Sequence, residues 1–444
     1  MNEANDQPTR RPLPNVMANQ FPSLPSGSFA YGLIFLAHAI LQSSFVHAKE
    51  PTRTTPPIPA ADSVPLLSGS EVTQGIQLSL HYLVTACGDD GKFIYLANRP
   101  GGKSTRKYNI VRHGGAMYGL SLANAVYPDK SIIEALIRSG KFLKENYISA
   151  NTSEAGTMHL VRSRASTSGT NAAVLGATGL GLVGLCGLEQ AQPGSTPLED
   201  LQAMGRFLLF LQKEDGSFYS KYRADEDEKS DTFSSLYFPG EAALGLILLY
   251  KLDPSPHWIE GAEKALAYLA KSRESERDIP PDHWALIATQ ELLSLPDRTE
   301  GTPLPREALM RHAIQICESM LSDQITNAKE TDLNGGFDPE GRTTPTSTRL
   351  EGLLAALRFL PPEEKDLRTR TESAVSKGVQ FLLRAQIRSG PCTGGVPRAI
   401  TRTQPTVDNE EASSASSRDS EVRIDYVQHF LSALLRYQGQ VLKQ

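Results

Sequence analysis

Residues 234–250 read SSLYFPGEAALGLILLY, and this stretch decides the fold. Pro239 suits the first turn of a helix, because the amide hydrogen that proline lacks has no intrahelical partner there. The residues after it are apolar on nearly every face, which predicts a helix buried on all sides. The preceding segment LEDLQAMGRFLLFLQ, residues 198–212, is amphipathic, and a long polar loop joins the two. The unit is therefore an amphipathic helix, a polar loop and a buried helix.

The same unit occurs six times between residues 66 and 444. The predicted amphipathic helices span residues 71–86, 130–146, 197–212, 256–271, 305–323 and 366–386. The predicted buried helices span residues 112–125, 171–188, 239–252, 282–293, 348–360 and 424–437. No segment alternates β-branched residues as a strand does, so we expect no sheet. The repeat predicts an all-α ring of six helical hairpins with the buried helices inside.

Glycines and loop lengths indicate how the ring is arranged. Four glycines lie in the second predicted inner helix: Gly176, Gly179, Gly181 and Gly184. Each costs a helix about 1 kcal/mol relative to alanine, which close packing between inner helices would offset. The connections from outer to inner helix are long in five of the six hairpins. Long loops therefore gather where the inner helices begin, and we expect the functional site at that face.

The first 65 residues differ from the repeats in composition. The apolar run FAYGLIFLAHAIL, residues 29–41, has the length of a signal-peptide core and is short for a membrane span. Residues 1–48 are predicted to be an export signal or an uncleaved membrane anchor, with Met17 as an alternative start. Residues 49–65 are predicted to be a flexible linker, and residues 66–444 the ring domain. The expected location is secreted or periplasmic.

Composition and cysteine spacing exclude several classes of partner. The net charge of -5 offers no basic surface for nucleic acid, and a membrane is expected only if the N-terminal run is an anchor. Cys87, Cys186, Cys317 and Cys392 show no metal-binding spacing, so neither a metal nor a cofactor is expected. If the ring closes, Cys87 and Cys392 become neighbours. A disulfide between them is predicted, consistent with an oxidising compartment.

The candidate site residues come from the starts of five predicted inner helices. Four carboxylates are candidates for catalysis: Glu241, Asp282, Glu351 and Asp425. Ten further side chains are candidates for substrate binding: Asn109, Arg112, His113, Tyr237, His283, Trp284, Arg349, Arg423, Tyr426 and His429. Convergent carboxylates supply the acid and the base of glycosidic cleavage, while arginines bind acidic groups bidentately. The predicted ligand is a carbohydrate, and the arginines suggest an acidic one.

The same four carboxylates can instead have purely structural roles. Glu351 also fits the third position of a capping box, where it would only satisfy backbone donors. Glu241 and Asp282 lie in first turns, where the helix dipole favours any carboxylate. Asp425 and His429 are four residues apart on one helix face and can pair with each other. The other histidines can equally be satisfied core residues. Asp282 or Glu241 is the expected acid, and Asp425 or Glu351 the expected base.

Short loop signatures recur after the predicted outer helices. They are DDGKF at residues 89–93, QKEDGSF at 212–218, NGGF at 334–337 and the degenerate GPCTGGV at 390–396. They resemble the Q-x-x-D-G-x-W repeats of terpenoid cyclases, with Phe in place of Trp. Over residues 70–440 the pattern resembles the (α/α)6 toroid group, which includes six-hairpin glycosidases, polysaccharide lyases, prenyltransferases and terpenoid cyclases. The resemblance implies an (α/α)6 toroid.

The function expected from residues and resemblance together is that of an exported carbohydrate-active enzyme. A glycoside hydrolase, a lyase acting on uronic acids and a sugar epimerase would all need these side chains. One alternative is a non-catalytic toroid that holds a glycan or a partner protein. Another is a terpenoid cyclase-like enzyme, although the D-x-D-D motif and the prenyltransferase zinc ligands have no match here.

Overall fold

A computed structural model describes residues 67–97, 108–153, 156–162, 172–232, 235–296, 306–328, 331–400 and 418–442. The predicted export signal or anchor and the predicted linker lie outside these residues. The α-helices with bounds in the described part are α1 (Gly69–Ala86), α2 (Ile110–Val126), α3 (Lys130–Tyr147), α4 (Leu175–Ala191), α5 (Leu198–Leu211), α6 (Phe238–Leu252), α7 (Pro256–Ser272), α8 (His283–Leu293), α9 (Arg306–Ser322), α10 (Thr343–Leu357), α11 (Lys365–Ala385) and α12 (Ile424–Gln440). Within this part of the chain, no helix is apolar over enough of its length to span a membrane.

The even-numbered helices form an inner ring. Each packs on the next, and α12 packs on α2, so the ring closes. Helices α4 and α6 are buried along most of their length, whereas the odd-numbered helices bury one face and lie outside. Inner helices approach closely: a Cβ on Gly114 of α2 would lie 2.6 Å from the Leu180 carbonyl oxygen of α4. The predicted (α/α)6 toroid is confirmed.

The recurring loop signatures attach each turn to the neighbouring outer helix. One glycine in each signature has a positive φ of 79° to 91°: Gly91, Gly216, Gly335 and Gly394. A Cβ at any of them would lie 2.0 to 2.2 Å from a carbonyl oxygen of another outer helix. These oxygens belong to Arg138 of α3, Lys264 of α7, Lys377 of α11 and Leu78 of α1. Only glycine permits both the backbone conformation and the close approach.

A glutamine at or just after the end of the outer helix completes three of these joints. Gln212, Gln324 and Gln386 donate side-chain hydrogen bonds of 2.7 to 2.8 Å to backbone carbonyls of the adjoining helix. The acceptors are Gly261 of α7, Ala374 of α11 and Gly75 of α1. The joint between α11 and α1 closes the outer ring, since it links the last outer helix to the first.

The predicted disulfide between Cys87 and Cys392 is wrong. All four cysteines lie in described residues, all are buried, and none forms a disulfide. Cys87 occupies the glutamine position of the first joint, and its Sγ lies 3.6 Å from the Ala135 carbonyl oxygen of α3. Cys392 lies instead beside Tyr82 of α1, whose pKa is raised by burial and then by that thiol. The two cysteines flank α1 but face different outer helices.

The expectation of no sheet is wrong for the long loops, where small antiparallel sheets form. The strands are β1 (Leu96–Ala97), β2 (Ile148–Ser153), β3 (Gly156–Val161), β4 (Ala172–Val174), β5 (Lys221–Arg223), β6 (Glu228–Ser230) and β7 (Val422–Arg423). β1 pairs with β7, β2 with β3, and β5 with both β4 and β6. Strands this short leave almost no periodic signal in the sequence. Their pairing is set by which loops the ring brings together, as with Leu96 opposite Arg423.

Candidate active site

A cavity of about 840 Å³ opens at the face where the inner helices begin. Its wall comes from the first turns of α2, α6, α8, α10 and α12, with additions from β4 and β7. The structure thus places a large concave site at the ends of the long loops, which is the face expected from loop lengths.

Eleven of the fourteen predicted site residues line this cavity. They are Asn109, Arg112, Tyr237, Glu241, His283, Trp284, Arg349, Arg423, Asp425, Tyr426 and His429. The other three, His113, Asp282 and Glu351, are buried outside the lining. Location does not assign a role, so the contacts of each group decide what it can do.

Two imidazoles of the cavity wall meet one carboxylate that is buried behind them. His283 of α8 and His429 of α12 have ring centroids 5.4 Å apart. The Nδ1 atom of His429 lies 2.7 Å from Oε2 of Glu351 on α10, a hydrogen-bond distance. The Nε2 atom of His283 lies 3.9 Å from the same oxygen. Three inner helices therefore contribute one acid–base cluster.

His283 is held as a neutral imidazole. Its side chain is 1% exposed, and neither ring nitrogen has a hydrogen-bond partner among the described residues. Burial, followed by the charges of His429, Arg349 and Arg436, holds the pKa of His283 well below its usual value. An unprotonated nitrogen in a cavity wall can act as a base and accept a proton from a bound ligand.

The capping-box alternative for Glu351 is wrong because α10 begins earlier than predicted. The helix starts at Thr343, so Thr348 lies inside it and donates its hydroxyl to carbonyl oxygens of the preceding turn. Glu351 is fully buried in the helix interior, with its carboxylate directed at the two imidazoles. A buried carboxylate needs such a partner.

His283, Glu351 and His429 are also possible metal ligands. Among the described residues, their ligand atoms lie within 4.8 Å of one another. Two histidines and a glutamate form a donor set that catalytic zinc uses. Ligands bound tetrahedrally at about 2.0–2.1 Å lie about 3.3 Å apart. The 2.7 Å contact between His429 and Glu351 is shorter and corresponds to a hydrogen bond. The donor atoms would have to separate to accept an ion.

Asp425 is bound by two arginines rather than by His429, so the alternative of an Asp425–His429 pair is wrong. Arg423 donates from Nε and Nη2 to the two oxygens of Asp425, at 2.6 and 2.9 Å. Nε of Arg112 lies 3.1 Å from Oδ2 of Asp425. The Tyr426 ring lies 4.3 Å from the Arg423 guanidinium. One carboxylate therefore orients two guanidinium groups at the cavity wall.

Glu241 is a buried carboxyl group in the cavity wall, and its surroundings favour the protonated form. It is 4% exposed, and its Oε2 atom has no hydrogen-bond partner among the described residues. Burial and then the negative charge of Asp282 raise the pKa of Glu241 well above its ordinary value. The oxygen packs against Gly176, where an added Cβ would lie only 2.3 Å away. Glu241 can donate a hydrogen bond to a ligand oxygen.

Asp282 and His113 have structural contacts. Asp282 caps α8 by accepting from the Ala285 amide at 3.0 Å and binds Arg273 at 2.9 Å. It therefore positions the helix start that carries His283. His113 hydrogen-bonds the Tyr108 hydroxyl at 2.7 Å and faces a backbone carbonyl of α3 with its other nitrogen. Burial lowers the pKa of His113 to about 4, so it is a neutral core residue.

Several residues that line the cavity are not among the candidates predicted from the sequence. Arg342 and Arg398 reach the cavity because an antiparallel bridge joins Arg342 to Ala399, across a long stretch of chain. Tyr147 reaches it from the end of an outer helix. Nothing in the local pattern marks these residues, since their place depends on which loops meet above the ring.

Comparison of the fold with solved structures finds sugar-processing enzymes. A cellobiose 2-epimerase from Bacillus thermoamylovorans superposes with a TM-score of 0.61 and 11% identity, over 84% of this chain and 98% of the epimerase. A D-mannose isomerase gives a TM-score of 0.58 at 12% identity, over 84% and 98% of the two chains. An unsaturated glucuronyl hydrolase specific for heparin gives 0.55 at 12%, over 85% and 99%.

No protein-family model matches the sequence, and no curated protein matches it by sequence. The likeness therefore lies in the fold, which extends over nearly the whole of each neighbour. The chain is a six-hairpin (α/α)6 toroid, as its loop signatures and repeats imply.

Proposed function

We propose that this chain is a sugar-processing enzyme that transfers a proton at the carbon beside the carbonyl group of an open-chain sugar. The observation that carries this proposal is the adjacent pair His283 and His429, whose rings pack edge to face with their centroids 5.4 Å apart at the cavity wall. Epimerisation needs one group to take the carbon-2 proton and another to deliver a proton to the other face, and aldose–ketose isomerisation can use the same groups. Solved neighbours that are a cellobiose 2-epimerase and a D-mannose isomerase support this class of reaction.

The two imidazoles have different surroundings, and this difference assigns their roles. His283 is neutral and has no partner among the described residues, so it takes the proton from carbon 2 of the sugar. His429 lies at hydrogen-bond distance from Glu351, whose carboxylate orients the imidazole ring. His429 therefore returns a proton, either to the opposite face of carbon 2 or to carbon 1. Glu241 donates a hydrogen bond to the carbonyl oxygen, where negative charge develops.

Glycoside hydrolysis is the second candidate. It needs one protonated carboxylic acid and one ionised carboxylate. Glu241 has the raised pKa that the acid requires. Asp425, which is bound by two arginines, would be the ionised carboxylate. Asp425 is poorly suited to act as base, because both of its oxygens already accept charged hydrogen bonds. This favours proton transfer by the histidines over hydrolysis.

The test is proton exchange in D₂O. The full chain is incubated with reducing sugars, and proton NMR follows both loss of the carbon-2 proton and appearance of an epimer or ketose. We expect exchange with the native chain and none with His283→Asn or His429→Asn. His257→Asn, on the exposed start of outer helix α7, is the matched control. Release of sugar from glycosides without any exchange would replace this proposal with hydrolysis.

We also propose that residues 1–48 direct export of the protein. The support is the sequence pattern alone: an apolar run at residues 29–41 followed by Ala48. N-terminal sequencing of protein recovered after expression with its full leader tests this. A mature chain that begins after Ala48 is expected, whereas an intact leader would indicate an anchor or no export.

A further inference from the structure

We propose that the substrate is a sugar with an anionic group at carbon 6, held by Arg112 and Arg423. This inference rests on the proposed proton transfer, because it places the reacting carbon at the two histidines. Its chemical content is separate, however: it concerns what the cavity recognises rather than what reaction follows.

The first observation is a surplus of positive charge beside Asp425. Two guanidinium groups share this single carboxylate, so the cluster carries one net positive charge. The side chains of Arg112 and Arg423 are 31% and 23% exposed and line the cavity, whereas Asp425 is 8% exposed behind them. Arg112 binds Asp425 through Nε and Tyr95 through Nη1, and Arg423 binds Asp425 through Nε and Nη2. Both guanidinium groups also line the cavity, where a ligand can reach them.

The other arginines in the lining have no such surplus. Arg349 is matched by one carboxylate, Asp323, at 2.7 Å. Two more, Arg342 and Arg398, lie among three carboxylates: Asp338, Glu340 and Asp419. The remaining charged lining residues, Arg418 and Glu421, are opposite in sign. The excess charge is therefore localised on the Arg112–Asp425–Arg423 cluster.

The cluster is also built to bind a planar or tetrahedral anion. Asp425 fixes the guanidinium plane of Arg423 through two hydrogen bonds, and Tyr426 stacks beside it at 4.3 Å. Arg112 also donates to the Tyr95 hydroxyl. Because both guanidinium groups are held in place before a ligand binds, little side-chain entropy is lost on binding. Guanidinium groups bind carboxylates and phosphates bidentately.

The spacing along α12 fits the length of a six-carbon sugar. Asp425 and His429 are four residues apart, which is about one helical turn of 5.4 Å. Carbon 2 and carbon 6 of an open-chain hexose are separated by four bonds of about 1.5 Å, or about 5 Å when extended. Asp425 and His429 are therefore about as far apart along α12 as carbon 6 and carbon 2 of such a sugar, and both line the same cavity. A neutral sugar would leave the positive cluster unmatched.

The experiment compares three probes by calorimetry on the full chain: D-glucuronate, D-glucose 6-phosphate and D-glucose. We expect at least one anionic sugar to bind ten-fold or more tightly than glucose, with affinity that falls as salt rises. Arg423→Gln should reduce that preference to about two-fold, and Arg423→Lys should keep part of it, since it retains the charge but loses the fork. Arg311→Gln, an exposed arginine of outer helix α9, is the control and should leave the preference unchanged.

The outcomes separate this inference from the proposed reaction. Selective binding of an anionic sugar without proton exchange would support the inference and overturn the reaction. Exchange on glucose, with glucose bound as tightly as either anion, would support the reaction and overturn the inference. A preference that survives in a correctly folded Arg423→Gln variant would also overturn it. His429→Asn should still bind the anionic sugar, since the arginine cluster is intact.

Discussion

The turns after the outer helices and the starts of the inner helices are opposite in character. Four of the outer turns repeat one joint, in which a left-handed glycine contacts a carbonyl of another outer helix. The first turns of the inner helices share only their position in the ring. The polar groups that they present to the cavity differ: Arg112 on α2, Glu241 on α6, His283 on α8, and Arg423 and His429 at α12. Repetition at the outer turns builds the ring, and variation at the inner starts creates a site. Substitutions in the two regions should therefore separate stability from activity.

The largest expected effect is on catalysis at the inner starts. His283→Asn should reduce the rate of carbon-2 proton exchange by about 10²- to 10⁴-fold, the usual contribution of a general base. Glu351→Gln should give a comparable loss, because it removes the negative charge that lies 2.7 Å from Nδ1 of His429. Exchange rates by NMR and melting temperatures by calorimetry measure the two properties. A loss of activity that merely followed unfolding would contradict the division between the two regions.

The next effect is on stability at the outer turns. Gly216→Ala places a Cβ 2.2 Å from the Lys264 carbonyl oxygen and forces alanine to a φ of 90°. We expect a loss of about 2–4 kcal/mol in the free energy of unfolding, since a clash with backbone is added to the strain of about 1–3 kcal/mol. Denaturant titration measures it, and exchange activity of the folded fraction should be retained.

Gly194→Ala is the matched control for that substitution. Gly194 has a φ of 84°, but no described residue beyond its two chain neighbours has an atom within 4 Å of the added Cβ. The free energy of unfolding of Gly194→Ala should fall by only about 1 kcal/mol, because the backbone conformation alone is unfavourable for alanine. Equal losses at Gly216 and Gly194 would mean that the contact with the neighbouring helix does not stabilise the ring.

A smaller effect is expected from the glutamine of the joint that closes the ring. Gln386 is 4% exposed and donates to the Gly75 carbonyl and to the Ser79 hydroxyl, each at 2.8 Å. Gln386→Ala should cost about 1–3 kcal/mol, because the buried carbonyl loses its donor. Gln315→Ala, which removes an exposed hydrogen bond to Glu274, should cost less than about 0.5 kcal/mol. Denaturant midpoints compare the two variants.

The two regions also differ in how far the sequence predicts them. The outer and inner helices are predictable because burial on one face or on all faces produces a distinct apolar pattern. The signature glycines are likewise visible, although their contact with another outer helix is not. Glu351 was open to misreading, because Thr348 and Glu351 match a capping box. That motif is local, while the true start at Thr343 depends on a bond from its amide to the distant Arg398 carbonyl.

His113 and His283 show why the site itself is harder to predict. Both lie at the start of an inner helix and both are buried. His113 faces the neighbouring outer helix α3, where its Nε2 atom lies 3.0 Å from the Ser139 carbonyl oxygen, whereas His283 lines the cavity. His113 is the fourth residue of α2 and His283 the first of α8, so their side chains leave the helices in different directions, and the exact helix starts are the least predictable feature of a sequence. Residue type and position can nominate both histidines but cannot separate them.

The acid limb of the pH–rate profile should sharpen the assignment of His283. Protonation of His283 removes the base, and its pKa lies below the ordinary 6.5 because burial disfavours the charged form. Activity should therefore persist below pH 6.5 and fall only as pH approaches the lowered pKa. Arg349→Gln removes a positive charge that contributes to this shift and should move the limb toward higher pH by less than about one unit. A limb that moved toward lower pH would be inconsistent with a neutral His283 as base.

The smallest effect is expected from a chelator, and it separates the two chemistries open to His283, Glu351 and His429. Their ligand atoms lie within 4.8 Å of one another, so the donor set alone would suit zinc. The hydrogen bond of 2.7 Å between His429 and Glu351 holds two of the donors closer than shared ligation would allow. A metal bound there would also occupy the nitrogens that proton transfer requires. Dialysis against EDTA should therefore change the exchange rate by less than two-fold, with elemental analysis confirming that the protein is metal-free. Loss of exchange that returns with added Zn²⁺ would instead make this cluster a metal site and remove the two histidines from the acid–base roles assigned to them.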